Sequence, residues 1–348
     1  MTINNRRRGG VILISVLWII LVLSLVAWSL SRRSSVEMSM LERAQGRLRS
    51  YAAARAGVNA VINLLNTSPS VQDTLYSCGI NLPKGKTPEG IFSHIDVGGH
   101  SYAIVKWKTD GYNGKVHGAD WYGLRDEQGK INVNAINVGN YQILSALFEL
   151  KGLKRADADA LAQAIIAYKG TGNTFSGGTF SLNDDTVDLK PKNKPYENML
   201  ELLDIKGMTK ELFDTIKDDV TVYGDAQNGL WVNDKTANDE VLEAVIGAAK
   251  RMNPAVDTSS FLAQAYALRD GSDGRPFTDD DGAGTNTFAN TGDAVVNWPA
   301  ALREGNSSYL RARVIGVDEI TGRRCVIEAI IHRGAGFGAN QIIAWQRD

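Results

Sequence analysis

The stretch that decides the fold is Val11–Leu30, VILISVLWIILVLSLVAWSL, a run of 20 residues without a charged side chain. It stands directly behind Arg6-Arg7-Arg8-Gly9-Gly10. At about 1.5 Å per residue, a helix of this length covers roughly 30 Å, the thickness of the hydrocarbon core of a bilayer. The rest of the sequence contains no second run of this kind, so we expect one membrane span followed by a large extramembrane part.

The residues on either side of this run indicate what kind of anchor it forms. A secretory signal peptide has a shorter apolar core followed by small residues, whereas Ser31-Arg32-Arg33 follow here. A basic leader, a glycine and then an apolar helix resemble the N-terminus of a type IV prepilin. This resemblance implies that a prepilin peptidase cuts after Gly10 and leaves Val11 as the new N-terminus. A plain uncleaved anchor is the alternative.

The fifth residue counted from Val11 is Ser15. Pilins and pseudopilins mostly carry a Glu at this position, and a carboxylate buried in lipid is costly unless it is paired. In the major subunits that Glu is held to pair with the free amine of an adjoining subunit, a contact that Ser15 cannot make. Lack of the Glu is characteristic of one minor subunit, which is placed at the filament tip.

Basic residues flank the span on both sides, so the positive-inside rule does not orient it. Arg6, Arg7 and Arg8 precede the span, and a second set follows it: Arg32, Arg33, Arg43, Arg47 and Arg49. The orientation that we expect is an inner-membrane protein with a single span, the N-terminus in the cytoplasm and the main domain in the periplasm. It rests on the prepilin resemblance.

The composition is that of an ordinary globular protein, with 43% hydrophobic and 22% charged residues and a formal net charge of −1. This balance does not indicate a nucleic-acid binder. The part beyond the span is long enough for two domains. The two cysteines, Cys78 and Cys325, permit a disulfide in an extracytoplasmic domain, and the sequence leaves open whether they form one.

The apolar pattern predicts a long helix followed by an antiparallel sheet. Beyond Leu30, an apolar stripe with spacings of three and four continues the helix to about Asn66, with packing on the chain's own sheet favoured over a coiled coil. The stripe consists of Leu41, Ala44, Leu48, Tyr51, Val58, Ile62 and Leu65. Strand patterns follow at residues 100–108, 121–134, 309–317, 323–332 and 341–345. Between them lie helical patterns at residues 141–150, 154–168, 197–205, 209–217 and 238–252.

We therefore predict an α+β fold: a long N-terminal transmembrane helix packed on an antiparallel pilin-type sheet, with an inserted all-α domain. The insert contains two helix-hairpin-helix-like units that turn at Gly152 and Gly207. The expected divisions are a prepilin leader at 1–10, a transmembrane segment at 11–30 and the first part of the pilin-like domain at 31–134. The inserted helical domain is expected at 135–252 and the C-terminal strands at 253–348.

Four stretches together resemble protein K of the type II secretion system, the large minor pseudopilin. They are the Gly10/Val11 junction without a Glu at Ser15, the residues 126–134 (DEQGKINVN), the residues 192–196 running into 201–209 (KNKPY and ELLDIKGMT), and the residues 220–224 (VTVYG). Trp231-Val232-Asn233 with Thr236-Ala237 looks like the family's second asparagine-containing segment. The resemblance implies a subunit that binds the I- and J-type minor pseudopilins at the pseudopilus tip, with exoproteins as further partners.

One departure from the family concerns calcium. Members usually have an acidic segment after the first helical hairpin, where this chain has Ala167-Tyr168-Lys169-Gly170. Calcium takes six to eight oxygen ligands, largely carboxylates, so a calcium site is doubtful at this point. Asn183, Asp184 and Asp185 are the remaining candidate ligands.

The sequence shows no enzyme motif, since its four histidines lack metal-ligand spacing and it has no G-x-S-x-G turn. The alternative function is a membrane-anchored helix-hairpin-helix protein that binds DNA during DNA uptake. The charge balance argues against DNA binding, because residues 141–223 contain 10 Lys and Arg but 13 Asp and Glu. A phosphate-binding surface requires a basic face, and we expect no nucleic-acid partner.

Overall fold

The fold is seen in a computed structural model that describes residues 8–67, 88–107, 121–170, 192–226, 229–272, 274, 301–303, 307–334 and 340–347. Its first element, helix α1, runs without a break from Arg8 to Thr67 over 60 residues, as the apolar pattern predicts. The segment contains no proline to interrupt the backbone hydrogen bonds. At about 1.5 Å per residue, α1 is roughly 90 Å long.

The two halves of α1 have different surroundings. The side chains of residues 13–45 are almost all exposed, whereas a stripe of buried residues lies along the C-terminal half. That stripe consists of Gly46, Ser50, Ala53, Ala54, Gly57, Val58, Val61 and Leu65. The expected stripe was wrong at its N-terminal end, because Leu41, Ala44 and Leu48 are exposed. Small residues replace them as the buried face, since α1 approaches the sheet closely there.

An antiparallel sheet packs against this stripe. Its strands are β1 (Ile95–Asp96), β2 (Ser101–Trp107), β3 (Trp121–Tyr122) and β4 (Arg125–Asp126), and later in the chain β9 (Tyr309–Asp318), β10 (Arg323–His332) and β11 (Gln341–Arg347). The main order is β1-β2-β9-β10-β11, with β3 on β2 and β4 on β9. β2 pairs with β9 from Ser101 opposite Val317 to Ile104 opposite Val314. Alternate residues of β9 are buried, as expected for a strand with one face on the core.

Apolar side chains of α1 and the sheet form one core, which we call the sheet cluster. It contains Ala54, Val58, Val61, Leu65, Phe92, Tyr102, Ile104, Leu124, Leu310, Ala312, Val314, Cys325, Ile327, Ala329 and Ile331. The short helix α2 (Pro88–Phe92) contributes Phe92. The sequence patterns did not predict this helix.

The segment between the two groups of strands is mainly helical. It contains α3 (Tyr141–Leu150), α4 (Arg155–Lys169), a 3-10 helix at Met199–Asp204, α5 (Lys210–Ile216), α6 (Asp239–Met252) and α7 (Thr258–Asp270). Two parallel strand pairs of two residues each also belong here: β5 (Ile131–Asn132) with β6 (Val220–Thr221), and β7 (Val232–Asn233) with β8 (Leu302–Arg303). β5 falls within the strand pattern predicted at residues 121–134, whereas the sequence patterns missed α7, β6, β7 and β8.

This segment has its own core, which we call the helical cluster. Its fully buried members include Leu144, Leu147, Ile165, Val241 and Ile246. The cluster extends from Ile131 to Leu302 in sequence. Caps fix the ends of its helices; for example, the Asn238 side chain accepts a hydrogen bond from the Val241 N–H at 2.8 Å at the start of α6. The structure thus contains two apolar clusters, and the domain boundaries at 134/135 and 252/253 stay a prediction.

Candidate functional site

The N-terminal half of α1 is an exposed apolar surface. Its large side chains lie open; Leu17 is 63% and Leu41 is 53% exposed. This helix is long and apolar enough to cross a membrane, judged by length and composition, and it is the one such helix among the described residues. Apolar surface of this extent is stable only when lipid or another protein covers it. The helix therefore fits a single membrane anchor near the N-terminus.

The predicted processing and tip residues all lie on this helix. Gly10 and Val11 are helical, and Ser15 is exposed on the apolar surface. The structure places these three residues at the end of α1 that is farthest from the sheet. Their roles in peptidase cleavage and in tip placement stay predictions.

A second notable feature is a group of buried polar residues where the sheet meets the helical cluster, which we call the polar junction. Its central members are the buried Asp126, Glu127, Gln128 and Lys130 and the partly exposed Arg311. They come from the quoted stretch 126–134, which starts in β4, and from β9. Polar groups buried at this depth are tolerated only when they are hydrogen-bonded or paired.

The Asp126 carboxylate accepts hydrogen bonds from distant parts of the chain. Thr236 Oγ1 donates at 2.6 Å and Asn233 Nδ2 at 3.0 Å, and Ser307 Oγ donates as well. The Gln128 N–H donates at 2.8 Å from the adjacent turn. Burial raises the pKa of Asp126, although these four hydrogen bonds oppose the shift.

Glu127 lies beside Asp126 and is held by two cations. Its carboxylate is 2.8 Å from Lys130 Nζ and 2.7 Å from Arg311 Nε, and it accepts a hydrogen bond from Thr221 Oγ1 at 2.6 Å. Burial opposes its ionisation, but Arg311 and Lys130 outweigh burial and hold the pKa of Glu127 well below its usual range. Burial, reinforced by the charge of Arg125, lowers the pKa of Lys130 to about 7 although Glu127 favours its charged form.

The polar junction explains the quoted motifs in physical terms. Asn233 and Thr236 belong to the segment that resembles the family's second asparagine-containing segment, and both donate hydrogen bonds to Asp126. Sequence reasoning missed Ser307 and Arg311. Arg311 lies at a partly exposed position in the alternating pattern of β9, so the strand pattern could have predicted which face of the sheet it occupies. The motif therefore connects the helical segment to the sheet through buried hydrogen bonds and ion pairs.

The two Gly turns were the candidate phosphate-binding elements. Gly152 and Gly207 both have a φ of 97°, a left-handed conformation that favours glycine. The backbone donors of these turns bond within their own hairpins: the Gly152 N–H bonds the Glu149 carbonyl at 2.9 Å and the Leu153 N–H bonds the Phe148 carbonyl at 3.1 Å. The Met208 N–H likewise bonds the Ile205 carbonyl at 3.0 Å. These donors are therefore used as helix caps.

Several predicted residues fall outside the described part of the chain. They are the candidate calcium ligands Asn183, Asp184 and Asp185, and Cys78. Cys325 is buried in the sheet cluster. Among the described residues, no group of three or more His, Cys, Asp or Glu side chains is arranged to hold a metal ion.

Comparison with known proteins supports the resemblance to protein K. The sequence model of the family described as "Type II secretion system (T2SS), protein K" matches residues 129–225. This match starts within the polar junction and includes both Gly turns. It confirms the resemblance to protein K of the type II secretion system, a minor pseudopilin.

The fold also has a solved counterpart. A chain in the crystal structure of the GspK-GspI-GspJ complex from the type 2 secretion system of enterotoxigenic Escherichia coli is similar, with a TM-score of 0.51 and 16% sequence identity. The similarity covers 90% of this chain and 99% of that chain. No curated protein sequence matches this chain. At this identity the structural likeness concerns the fold, and it supports a mixed fold of helices and antiparallel sheet.

Proposed function

We propose that this chain is a minor pseudopilin of the type II secretion system. It caps the tip of the periplasmic pseudopilus by binding the I- and J-type minor pseudopilins, and in this way supports exoprotein secretion. The observation that carries the proposal is the exposed apolar half of α1, which continues into a large two-cluster head. The related complex contains GspI and GspJ beside GspK, which is why partners of these types are proposed here.

The shape of the subunit supports a tip position. A filament subunit repeated in a regular lattice must leave room for the next copy, and the helical segment adds a second cluster to the sheet cluster. Ser15 lacks the carboxylate that would pair with the amine of another subunit. The role is one of protein binding, and no catalysis is proposed.

The test is co-purification of the full chain with I- and J-type minor pseudopilins. Leu41 and Leu48 are 53% and 67% exposed on the part of α1 beyond the predicted span. We expect the double variant Leu41→Asp and Leu48→Asp to abolish co-purification, because two carboxylates would be buried at the interface. Leu200→Asp is the matched control, since Leu200 is 55% exposed on the helical segment and its replacement leaves binding intact. Failure of the unaltered chain to bind either partner would contradict the proposal.

Processing is the second part of the proposal. A prepilin peptidase removes residues 1–10, and Val11 is N-methylated. Intact-mass measurement of the membrane form shows this loss directly. Gly10→Val retains the leader, because a side chain at the cut crowds the peptidase site, while Gly9→Val serves as the control one residue away. Mature wild-type protein that keeps Met1 would rule out processing.

The DNA-uptake alternative has a different signature. Non-specific DNA binders reach about micromolar affinity with a steep dependence on salt. We predict that the full chain does not bind DNA in this way. Backbone N–H groups at the two Gly turns already donate within their own hairpins, and acidic residues outnumber basic ones in residues 141–223. Salt-dependent micromolar binding of duplex DNA, measured by fluorescence anisotropy, would favour the alternative.

A further inference from the structure

Arginines directly beyond the apolar run are the starting point of a further inference. Arg32 and Arg33 are exposed on α1, two and three residues after Leu30. At about 1.5 Å per residue they lie roughly 3–5 Å beyond the end of the apolar run. The headgroup layer on one side of a bilayer is about 5–7 Å thick. If residues 11–30 span the membrane, both guanidinium groups therefore lie at headgroup level.

The side chains around this pair fit an interface between lipid and water. Trp28 stands one turn before Arg32 and is 64% exposed, and the Arg32 guanidinium lies over its ring, 5.7 Å from the centroid. Tryptophan is enriched at membrane interfaces, where its apolar ring and polar N–H meet both phases. The nearby hydroxyl of Ser35 donates to the Ser31 carbonyl at 3.0 Å and so needs no lipid partner.

Arg33 has a neighbour of opposite charge, but the contact is weak. Its Nε lies 3.3 Å from Glu37 Oε1, with side chains that are 81% and 68% exposed. Exposed pairs of this kind contribute little to stability. A phosphate can therefore compete for Arg33, because an arginine binds a phosphate through two parallel hydrogen bonds.

Distance separates this pair from the other arginines of the helix. Arg43 is 13 residues beyond Leu30, or roughly 20 Å along the axis. The screening length at physiological salt is about 8 Å, so Arg43, Arg47 and Arg49 do not feel the charge of the membrane surface. Arg43 instead lies close to Gly46, where the buried stripe of α1 begins.

We infer that Arg32 and Arg33, with Trp28, form a binding site for the phosphate headgroups of anionic phospholipids on the head side of the membrane. The inference rests on the proposed insertion of residues 11–30. Each basic residue near an anionic surface strengthens binding to that surface about fivefold. The site fixes the depth of α1 in the bilayer and explains why basic residues follow the span as well as precede it.

A site-specific photocrosslink tests this inference on the full chain. Ser34 is exposed beside the pair, and p-benzoylphenylalanine in its place reacts with adjacent lipid. In vesicles of mixed phosphatidylglycerol and phosphatidylcholine, we expect at least about fivefold more phosphatidylglycerol adduct than the bulk ratio gives. Mass spectrometry of the adducts measures this ratio. Basic residues before the span lie at the opposite leaflet and cannot reach Ser34.

The variants decide the result. R32Q together with R33Q reduces the adduct ratio to the bulk value, whereas R43Q together with R47Q leaves the enrichment unchanged. Enrichment that survives R32Q and R33Q, a bulk ratio in the unaltered chain, or no lipid adduct at Ser34 would each overturn the inference. Complete competition by soluble glycerol phosphate would identify a general phosphate site and overturn the lipid assignment.

Carbonate extraction of the same vesicles separates this inference from the proposed function. If the chain is extracted, the membrane span itself is wrong and the proposed placement fails with it. If the chain stays in the membrane but shows no enrichment, only the lipid site is wrong.

Discussion

The sheet cluster and the helical cluster are built in different ways. In the sheet cluster, α1 lies so close to β9 that a Cβ on Gly316 would clash with the Ser50 carbonyl oxygen. In the helical cluster, large side chains such as Leu147 and Phe148 fill the space between helices. The contact between α1 and β9 depends on the absence of side-chain volume, whereas the helical cluster depends on its presence. The polar junction connects the two through buried charges.

The largest expected effect comes from separating the two clusters at the polar junction. Arg311→Met removes the cation 2.7 Å from Glu127 and leaves this fully buried carboxylate with Lys130 and the Thr221 hydroxyl. Loss of one partner of a buried ion pair costs about 3–5 kcal/mol. We expect the free energy of unfolding to fall by that amount, measured by denaturant titration of the full chain in detergent.

A matched control lies two residues away on the same strand. Arg313 has the same side-chain exposure of 24% as Arg311, and both arginines pair with Glu328, at 3.4 Å and 3.0 Å. Arg311 pairs in addition with the buried Glu127. Arg313→Met should change the free energy of unfolding by less than about 1 kcal/mol. Equal losses for both variants would show that the junction does not depend on Glu127.

The next effect tests the packing of the helical cluster. Leu147 is completely buried on α3, and Leu147→Ala leaves a cavity that costs about 2–5 kcal/mol. Hydrogen exchange should increase in α3, α4 and α6 and stay unchanged in β9 and β10. Leu150→Ala, at a 47% exposed position of the same helix, is the control. Uniform exchange across both clusters would mean that they unfold as one unit.

A smaller effect tests the close contact between α1 and β9 in the sheet cluster. Gly316→Ala places a methyl group against the backbone of Ser50 and Ala54, and overpacking of this kind costs about 1–3 kcal/mol. Gly247→Ala is the contrasting variant, because no atom lies within 4 Å of its Cβ in the helical cluster. Alanine is favoured over glycine within a helix, so we expect Gly247→Ala to stabilise. Thermal unfolding distinguishes the opposite signs.

The smallest effect concerns the pH dependence of the junction. The pKa of Lys130 is about 7 in the folded chain, against 10.5 for an ordinary lysine. Between these values the unfolded chain binds more protons, so the free energy of unfolding rises as the pH rises from 7 towards 10.5. We expect a rise of at least about 1.4 kcal/mol, equivalent to one pKa unit. Lys130→Met should lack this rise, whereas Lys217→Met at a half-exposed site should keep it.

Sequence patterns predicted elements whose own residues determine them. α1 follows from its uncharged run and proline-free continuation. β9 follows from regular alternation of buried and open positions, and β10 keeps this alternation from Cys325 to Ala329. The small-residue face of α1 was not predictable from apolar spacing, because glycine and serine become a packing face only when a partner approaches closely. The hydrogen bond from Ser307 to Asp126 spans 181 residues, and a single sequence carries no signal for such a pairing.

The candidate site was predictable in part for the same reason. Gly10, Val11 and Ser15 belong to a local pattern at the start of α1. Arg311 owes its role to Glu127 across the fold, and the two-residue strands β6 to β8 exist because distant segments pair with them. Their own sequences are too short to specify a strand.

The pairing of β2 with β9 has a consequence for how the protein is made. Ser101 lies opposite Val317, so about 200 residues must be synthesised after β2 before its neighbour in the sheet exists. At roughly 5–20 residues per second, this takes about 10–40 s. During that time the growing chain presents the apolar face of β2 and the small-residue face of α1 without their cover. The sheet cluster therefore closes only after the last strands of the chain have been made.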